Sequence, residues 1–259
     1  MQQNDKQTRR TRVVFHVGLW IAMLVIAVSL IVFVDMLFRS PTGQSLTSLD
    51  WAGYAIASDF TTPQPVFTSV TGSWIVPTVD VSQAYTFSAA WIGIGGQLDE
   101  TLIQTGTEQD SIDQQTVYSA WYELLPYDAV TITTINVSAG DSITAYIGLV
   151  DSTSNQWLIR IQDVTNGQSF NTSLSYDSSR LTAEWIVERP TVNNNIAPLA
   201  NFGSITFTSP SATLDDRVVT IRDLPFSRFT TYNRKNTQLV NVSPLASRSS
   251  NFTVTYLSS

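Results

Sequence analysis

Two short stretches carry side chains fit for chemistry. Thr101-Leu102-Ile103-Gln104-Thr105-Gly106-Thr107 closes an apolar run on a glutamine, and Ala183-Glu184-Trp185-Ile186-Val187-Glu188 sets a glutamate inside an alternating pattern. A carboxylate can take and return a proton, and a primary amide can donate to a developing negative charge. The remaining composition narrows the chemistry further. The chain has no cysteine and one histidine, His16, which lies in an apolar N-terminal run. Thiolate catalysis, disulfides, Cys-based zinc sites and any imidazole triad are therefore excluded from the main domain. Beyond residue 40 the single lysine is Lys235. Carboxylates, amides and hydroxyls are what remain.

The elements that must position these groups read as strands. From Asp50 onward the pattern is period two, bounded by Gly, Pro, Asn, Asp and Ser, with no sustained helical period. In Ser169-Phe170-Asn171-Thr172-Ser173-Leu174-Ser175-Tyr176, the residues Phe170, Thr172, Leu174 and Tyr176 share a face. Similar runs lie near 157–164, 205–208, 218–221 and 252–256. Period two also decides which candidate side chains can share a surface. Glu184, Ile186 and Glu188 face one way and Ala183, Trp185 and Val187 the other. Leu102 pairs with Gln104, Trp121 with Glu123, and Trp91 with Gly93. Four strands can thus line one concave face with Trp91, Gln104, Trp121, Glu123 and Glu184. The fold expected is all-β, an antiparallel sandwich or barrel.

The N-terminal part is different. Val13 to Val34 is 22 residues without formal charge apart from titratable His16, preceded by Lys6, Arg9, Arg10 and Arg12. As a helix it spans roughly 33 Å, enough for a bilayer core of about 30 Å. Positive flanks stay in the cytoplasm, and Asp35-Met36-Leu37-Phe38-Arg39 offers no small-x-small cleavage site. The expectation is a basic cytoplasmic tail over 1–12, an uncleaved signal anchor over 13–34, a linker over 35–49, and one domain over 50–259. That domain would stand outside a cell membrane crossed once. After residue 39 there are 9 basic and 19 acidic side chains, a formal charge of −10, which argues against nucleic-acid binding. Sequons stand at Asn136, Asn171, Asn241 and Asn251.

Taken in order, the segments resemble the glutamic peptidases (eqolisins). That family's pattern opens on Asn-Trp-(Ala/Gly)-Gly and a Trp-Val-Pro-like strand. It continues through Trp-Val-Gly-Ile-Asp-Gly, Leu-Gln-Thr-Gly, Ala-Trp-Tyr-Glu and Ala-Glu-(Phe/Trp)-Ile-(Ile/Val)-Glu, then Pro-(Phe/Leu)-Ala-x-Phe. Here stand Asp50-Trp51-Ala52-Gly53, Trp74-Ile75-Val76-Pro77 and Trp91-Ile92-Gly93-Ile94-Gly95-Gly96. After them come Ile103-Gln104-Thr105-Gly106, Ala120-Trp121-Tyr122-Glu123, the 183–188 stretch and Pro198-Leu199-Ala200-Asn201-Phe202. Asp50 replaces the usual Asn and Gly95 the usual Asp. A lone strand glutamate is ordinarily solvent-facing and a lone tryptophan ordinarily core, so the ordered set carries the reading.

The resemblance implies a sandwich of two bent antiparallel sheets, a concanavalin- or lectin-like jelly roll. It implies an acid endopeptidase in which Glu184 is the general base and Gln104 the oxyanion donor. Trp51, Trp91, Trp121 and Glu123 would line or buttress the cleft. Apart from the resemblance, Glu188 reads as a surface residue or as the ion-pair partner of Arg189 or another Arg. No cofactor or metal is called for, the partners are polypeptide substrates, and a monomer is expected. A different class stays open: a lectin-like carbohydrate-binding module, or a glycosidase pairing Glu123 with Glu184. Gln104 separates them, since only peptide hydrolysis by this scheme needs its amide.

Overall fold

The computed structural model describes residues 42–246 and 248–258. The expected anchor over 13–34 and tail over 1–12 lie outside them. In chain order the strands begin with β1 (Gly43–Ser48), β2 (Trp51–Ala57), β3 (Phe67–Ile75) and β4 (Ala89–Gly95). A long hairpin, β5 (Leu102–Ile112) and β6 (Gln115–Leu124), leads to the short β7 (Val130–Ile132). A meander of β8 (Ser142–Asp151), β9 (Gln156–Asp163) and β10 (Ser169–Ser175) precedes β11 (Thr182–Glu188). The small hairpin β12 (Thr191–Val192) and β13 (Asn195–Ile196) turns through Asn193 and Asn194, both at positive φ. Then come β14 (Ser204–Leu214), β15 (Arg217–Thr220), β16 (Phe226–Thr231), β17 (Val240–Val242) and β18 (Phe252–Tyr256).

Two sheets face each other. The first runs β1-β16-β2-β11-β4-β5-β6-β7, and the second runs β10-β9-β8-β3-β14-β18-β17, with β15 paired to β14. Every pairing is antiparallel except β1 with β16. The all-β sandwich expected from period two is what the chain forms. Alternation along β11 sends Ala183, Trp185 and Val187 into the layer between the sheets. There they meet Trp74, Ile143, Trp157 and Phe207 from the second sheet. Buried indoles find acceptors: Trp185 donates to Thr71 O at 2.8 Å, Trp74 to Thr107 Oγ1 at 3.0 Å and Trp157 to Tyr176 O at 3.0 Å.

The opposite face of the first sheet is concave and also covered. Ala55, Trp91, Trp121, Ile186 and Phe229 form a second apolar cluster there. Glycines make room for it. A Cβ on Gly106 would stand 2.6 Å from Trp91 Cβ, its register partner, and one on Gly93 would stand 2.9 Å from the Trp91 ring. Tyr176, just past β10, closes one end of this face. Its hydroxyl accepts from Leu102 N and donates to Leu125 O, both at 2.8 Å.

One element differs from the sequence reading. Gly43–Ser48, expected within a linker, is an edge strand parallel to β16. Its alternation is weak because one edge contact suffices: Gln44 Nε2 donates to Ser227 Oγ at 2.9 Å, and Arg228 Nη2 to Ser45 Oγ at 3.1 Å. A partner 183 residues away leaves no local signal.

Gly53, in β2, adopts φ +143°, and a Cβ there would drive into the Trp185 carbonyl oxygen. Gly53→Ala is expected to destabilise the domain by about 1–3 kcal/mol, read as a lower denaturation midpoint at unchanged slope.

Candidate active site

Strand order converts the sequence pattern into a surface. β11, β4, β5 and β6 are neighbours, and one cross-strand row reads Ala55, Glu184, Gly93, Gln104, Glu123. The next row holds Ile186, Trp91, Gly106 and Trp121, and the row beyond holds Trp51, Glu188, Ala89 and Glu108. All these side chains share the concave face, as period two requires.

A cavity of about 570 Å³ opens on this face. Gln104, Glu123, Glu188, Trp51 and Trp121 line it, with Leu102, Phe229 and Glu108 at its sides. The Gln104 amide is nearly buried, and its Nε2 donates to Glu123 Oε2 at 2.5 Å. Its Oε1 has no partner, and neither does the buried Trp121 Nε1. One N–H of the amide is thus engaged and the second is free for a ligand.

Glu188 is held differently. Trp91, fully buried beneath the cavity, donates its indole N–H to Glu188 Oε2 at 2.7 Å. Trp51 packs edge-on against Trp91 with ring centroids 5.1 Å apart, and Phe229 packs edge-on against Trp51 at 5.8 Å. The aromatic stack therefore fixes the carboxyl. The sequence reading placed Glu188 at the surface or in an ion pair; instead it faces the cavity on the Trp91 indole. Trp91 is a buttress and not a wall.

Glu184 does not reach the cavity. It is fully buried, and neither carboxyl oxygen has a hydrogen-bond partner. From the connection between β4 and β5, Asp99 is near enough to act on its charge, and Gln97 reaches Ser227 two strands over in the same sheet. Residues four apart on a strand share a face, so the pattern Glu184-x-x-x-Glu188 offered two candidates and no means to choose. The signal that could have chosen was Trp91, an indole in a neighbouring strand whose N–H needs a buried acceptor.

Two departures from the family pattern have local causes. Asp50 Oδ1 accepts from Trp51 N at 3.0 Å and from Ser48 Oγ at 2.5 Å, work that an asparagine oxygen also does. Gly95 sits at φ +91°, and a side chain there would strike the Thr101 carbonyl.

The site is rich in protons. Burial, with Asp50 and Glu123 nearby, pushes Glu188 up to about 8 against the Trp91 hydrogen bond. Burial and then Glu108 push Asp110 up to about 7, although Ser88 N–H donates to it. Burial also raises Glu123, opposed by the Gln104 amide and helped by Asp128 and Glu108. It raises Glu108, opposed by the Ser119 hydroxyl.

A model of the Peptidase A4 family matches residues 49–256. Aspergillopepsin-2 from Aspergillus niger is 33% identical over 191 residues, 64% of this chain and 64% of that protein, so the match spans a little under two thirds of its length. Scytalidopepsin B from Scytalidium lignicola is 30% identical over 200 residues, 72% of each chain. Among solved structures, scytalido-glutamic peptidase with a transition state analog inhibitor superposes with a TM-score of 0.69 at 23% identity. That alignment covers 81% of this chain and 99% of the other. Aspergilloglutamic peptidase from Aspergillus niger gives 0.59 at 30% identity, covering 66% and 99%.

Carboxyls that hold protons more tightly folded than unfolded stabilise the fold fully below their unfolded values. That contribution is lost as pH rises through the folded ones. For Asp110 the window runs from 3.8 to about 7, and for Glu188 from 4.5 to about 8. The melting temperature of the full-length chain is expected to fall steadily across this range, and Asp110→Asn to flatten the part below about 7. Calorimetric melting from pH 4 to 8 checks both; a midpoint that rises over this span would contradict the assignment.

Proposed function

The chain belongs to the Peptidase A4 family, and from that premise we propose that it is an endopeptidase that cleaves polypeptides with Gln104 and Glu188. The observation that carries this reading is the meeting of two differently held groups in one cavity. The Gln104 amide is oriented by Glu123 with a free N–H, and the Glu188 carboxyl is oriented by the Trp91 indole. Glu188 takes a proton from water, which attacks the scissile carbonyl, and returns it to the leaving amine. The free Gln104 N–H donates to the oxyanion as it forms. The Trp91 N–H, and the O–H of the water Glu188 holds, favour the ionised carboxylate and counter its burial. Carboxyl, amide and water suffice for this chemistry.

Support for a peptide substrate comes from the walls. Trp51, Trp121, Leu102 and Phe229 offer apolar contact, while Trp121 Nε1 and Gln104 Oε1 offer an unused donor and acceptor. Glu184, given the base role on the family pattern, is assigned no part in the proton transfer because it is sealed from the cavity.

Incubation of the full-length chain with an unfolded protein from acid pH to above about 8, where Glu188 ionises, tests the activity. Glu188→Gln is expected to reduce cleavage to background with the fold retained. Gln104→Ala should lower turnover by about 10²–10³, as loss of an oxyanion donor does. Glu123→Gln should impair without abolishing. Trp91→Phe removes a hydrogen bond to the carboxylate, so the acid limb of kcat/KM should move to higher pH. Parent-like turnover in Glu188→Gln would end the assignment.

We also propose that Val13–Val34 anchors the enzyme as a single span with the domain outside, on the strength of its 22 uncharged residues and the basic flank before it. External protease should reach the domain on intact cells; digestion only after lysis would reverse the topology.

A further inference from the structure

We propose that Glu184 is the positioning residue of the cavity rim, a buried carboxylic acid whose protonated form fastens the β4–β5 connection over the sheet. The proposal takes the cavity above as the catalytic one.

The first support is a concentration of unmatched polar atoms. Both Glu184 oxygens, Gln97 Oε1, Thr182 Oγ1 and Ser179 Oγ are buried without partners. They gather around one place. Thr182 lies two residues before Glu184, on the same face of β11. Gln97 Nε2 donates to Ser227 Oγ at 2.6 Å, and Ser227 pairs with Ala55, which pairs with Glu184. The Gln97 side chain therefore crosses the small Ala55 to reach Ser227, beside Glu184. Ser179 N donates to Thr101 Oγ1 at 3.0 Å, tying the approach to β11 to the far end of the same connection.

The chemistry of the two protonation states then differs sharply. A neutral acid contributes one O–H donor to a spot where Gln97 Oε1 can only accept and the Thr182 and Ser179 hydroxyls can do either. An ionised carboxylate contributes none and is left with the Thr182 hydroxyl as a donor and, among the described residues, no cation to offset its burial. The charged group that acts on it is Asp99 from the connection; Glu123 and Glu188 share its sheet face, three strands away and four residues on. β2, β4 and β16 contribute only Ala55, Gly93 and Ser227. Burial foremost, opposed by the Thr182 hydroxyl beside it and helped by Asp99, raises Glu184 well above the ordinary carboxyl range. Ionisation thus comes late on the pH scale, and it has to open the cover to water.

The cover is built to transmit that opening. Gly95 and Gly96 begin it at φ +91° and +97°. A Cβ on Gly96 would lie 3.2 Å from both Trp51 and Leu102, so the connection rests on the cavity's aromatic wall. Gly96 and Gln97 themselves line the cavity. Lifting them dismantles the rim next to Gln104 while leaving Glu188 on Trp91.

The test compares the full-length parent with Glu184→Gln and Glu184→Ala at each pH from acid to alkaline, up to the onset of unfolding. Three readouts are taken: peptide kcat and KM, melting temperature, and amide exchange of Gly96–Thr101 corrected for intrinsic rate. Glutamine imitates the neutral acid permanently. Glu184→Gln is expected to cleave at acid pH and to hold its loop protection where the parent loses it. Its turnover relative to the parent should rise about tenfold per pH unit once Glu184 ionises. Glu184→Ala should exchange rapidly in 96–101 at every pH. Superimposable pH profiles and loop exchange for parent and Glu184→Gln would overturn the proposal, as would parent-like protection in Glu184→Ala. A folded Glu184→Gln that is inactive at acid pH, beside an active Glu188→Gln, would make Glu184 the reacting carboxyl and sink both assignments. If no peptide is cleaved by any form, the peptidase reading fails, and exchange and melting still decide the role of Glu184.

Discussion

The site depends on atoms that are missing. Gly106 stands opposite Trp91, and Gly93 stands between Glu184 and Gln104, so the concave face has two positions without side chains at its centre. Only there can an indole lie flat enough against the sheet to be fully buried and still send its N–H to a carboxyl on the next strand. A methyl at either position would displace Trp91, and with it Trp51 and the carboxyl. Backbone proximity, more than any single attraction, places the reactive groups.

A second constraint is charge without counter-charge. The domain buries Glu184 and encloses Glu188 and Asp110 while supplying no basic residue to the cavity wall. Burying an ion unpaired costs several kcal/mol, so Glu184 and Asp110 hold their protons more tightly than free carboxyls do. At these two buried carboxyls protonation takes the place of ion pairing.

Much of this was legible. Period two assigned the faces of β11, β5 and β6 correctly, because a strand with one face in a core cannot slip by a residue without exposing it. The convergence of Trp91, Gln104, Trp121 and Glu123 followed from those faces once the strands proved to be neighbours. The choice between Glu184 and Glu188 was not legible. Both lie on one face, and what separates them is burial: Glu184 is sealed in, with Asp99 of the 96–101 connection near it, and Glu188 lines the cavity. The pairing of β1 with β16 was hidden for a related reason: edge strands far apart in sequence need little hydrophobic patterning to pair.

Tyr176 joins these themes. Its hydroxyl ties Leu102 at the start of β5 to Leu125 just past β6, from a segment leaving the second sheet. The neighbouring ends of β5 and β6, already joined by Leu125 N to Leu102 O at 2.9 Å, are therefore also fastened to the layer behind. A cleft that cannot splay surrenders little freedom when it is filled, so the conformational cost of binding rests with the chain that enters. An unfolded chain can extend to fit at modest cost. On the proposed peptidase reading, a folded protein would first have to unravel the segment it presents, and the rigidity of one phenol clasp would favour substrates that have already lost their structure.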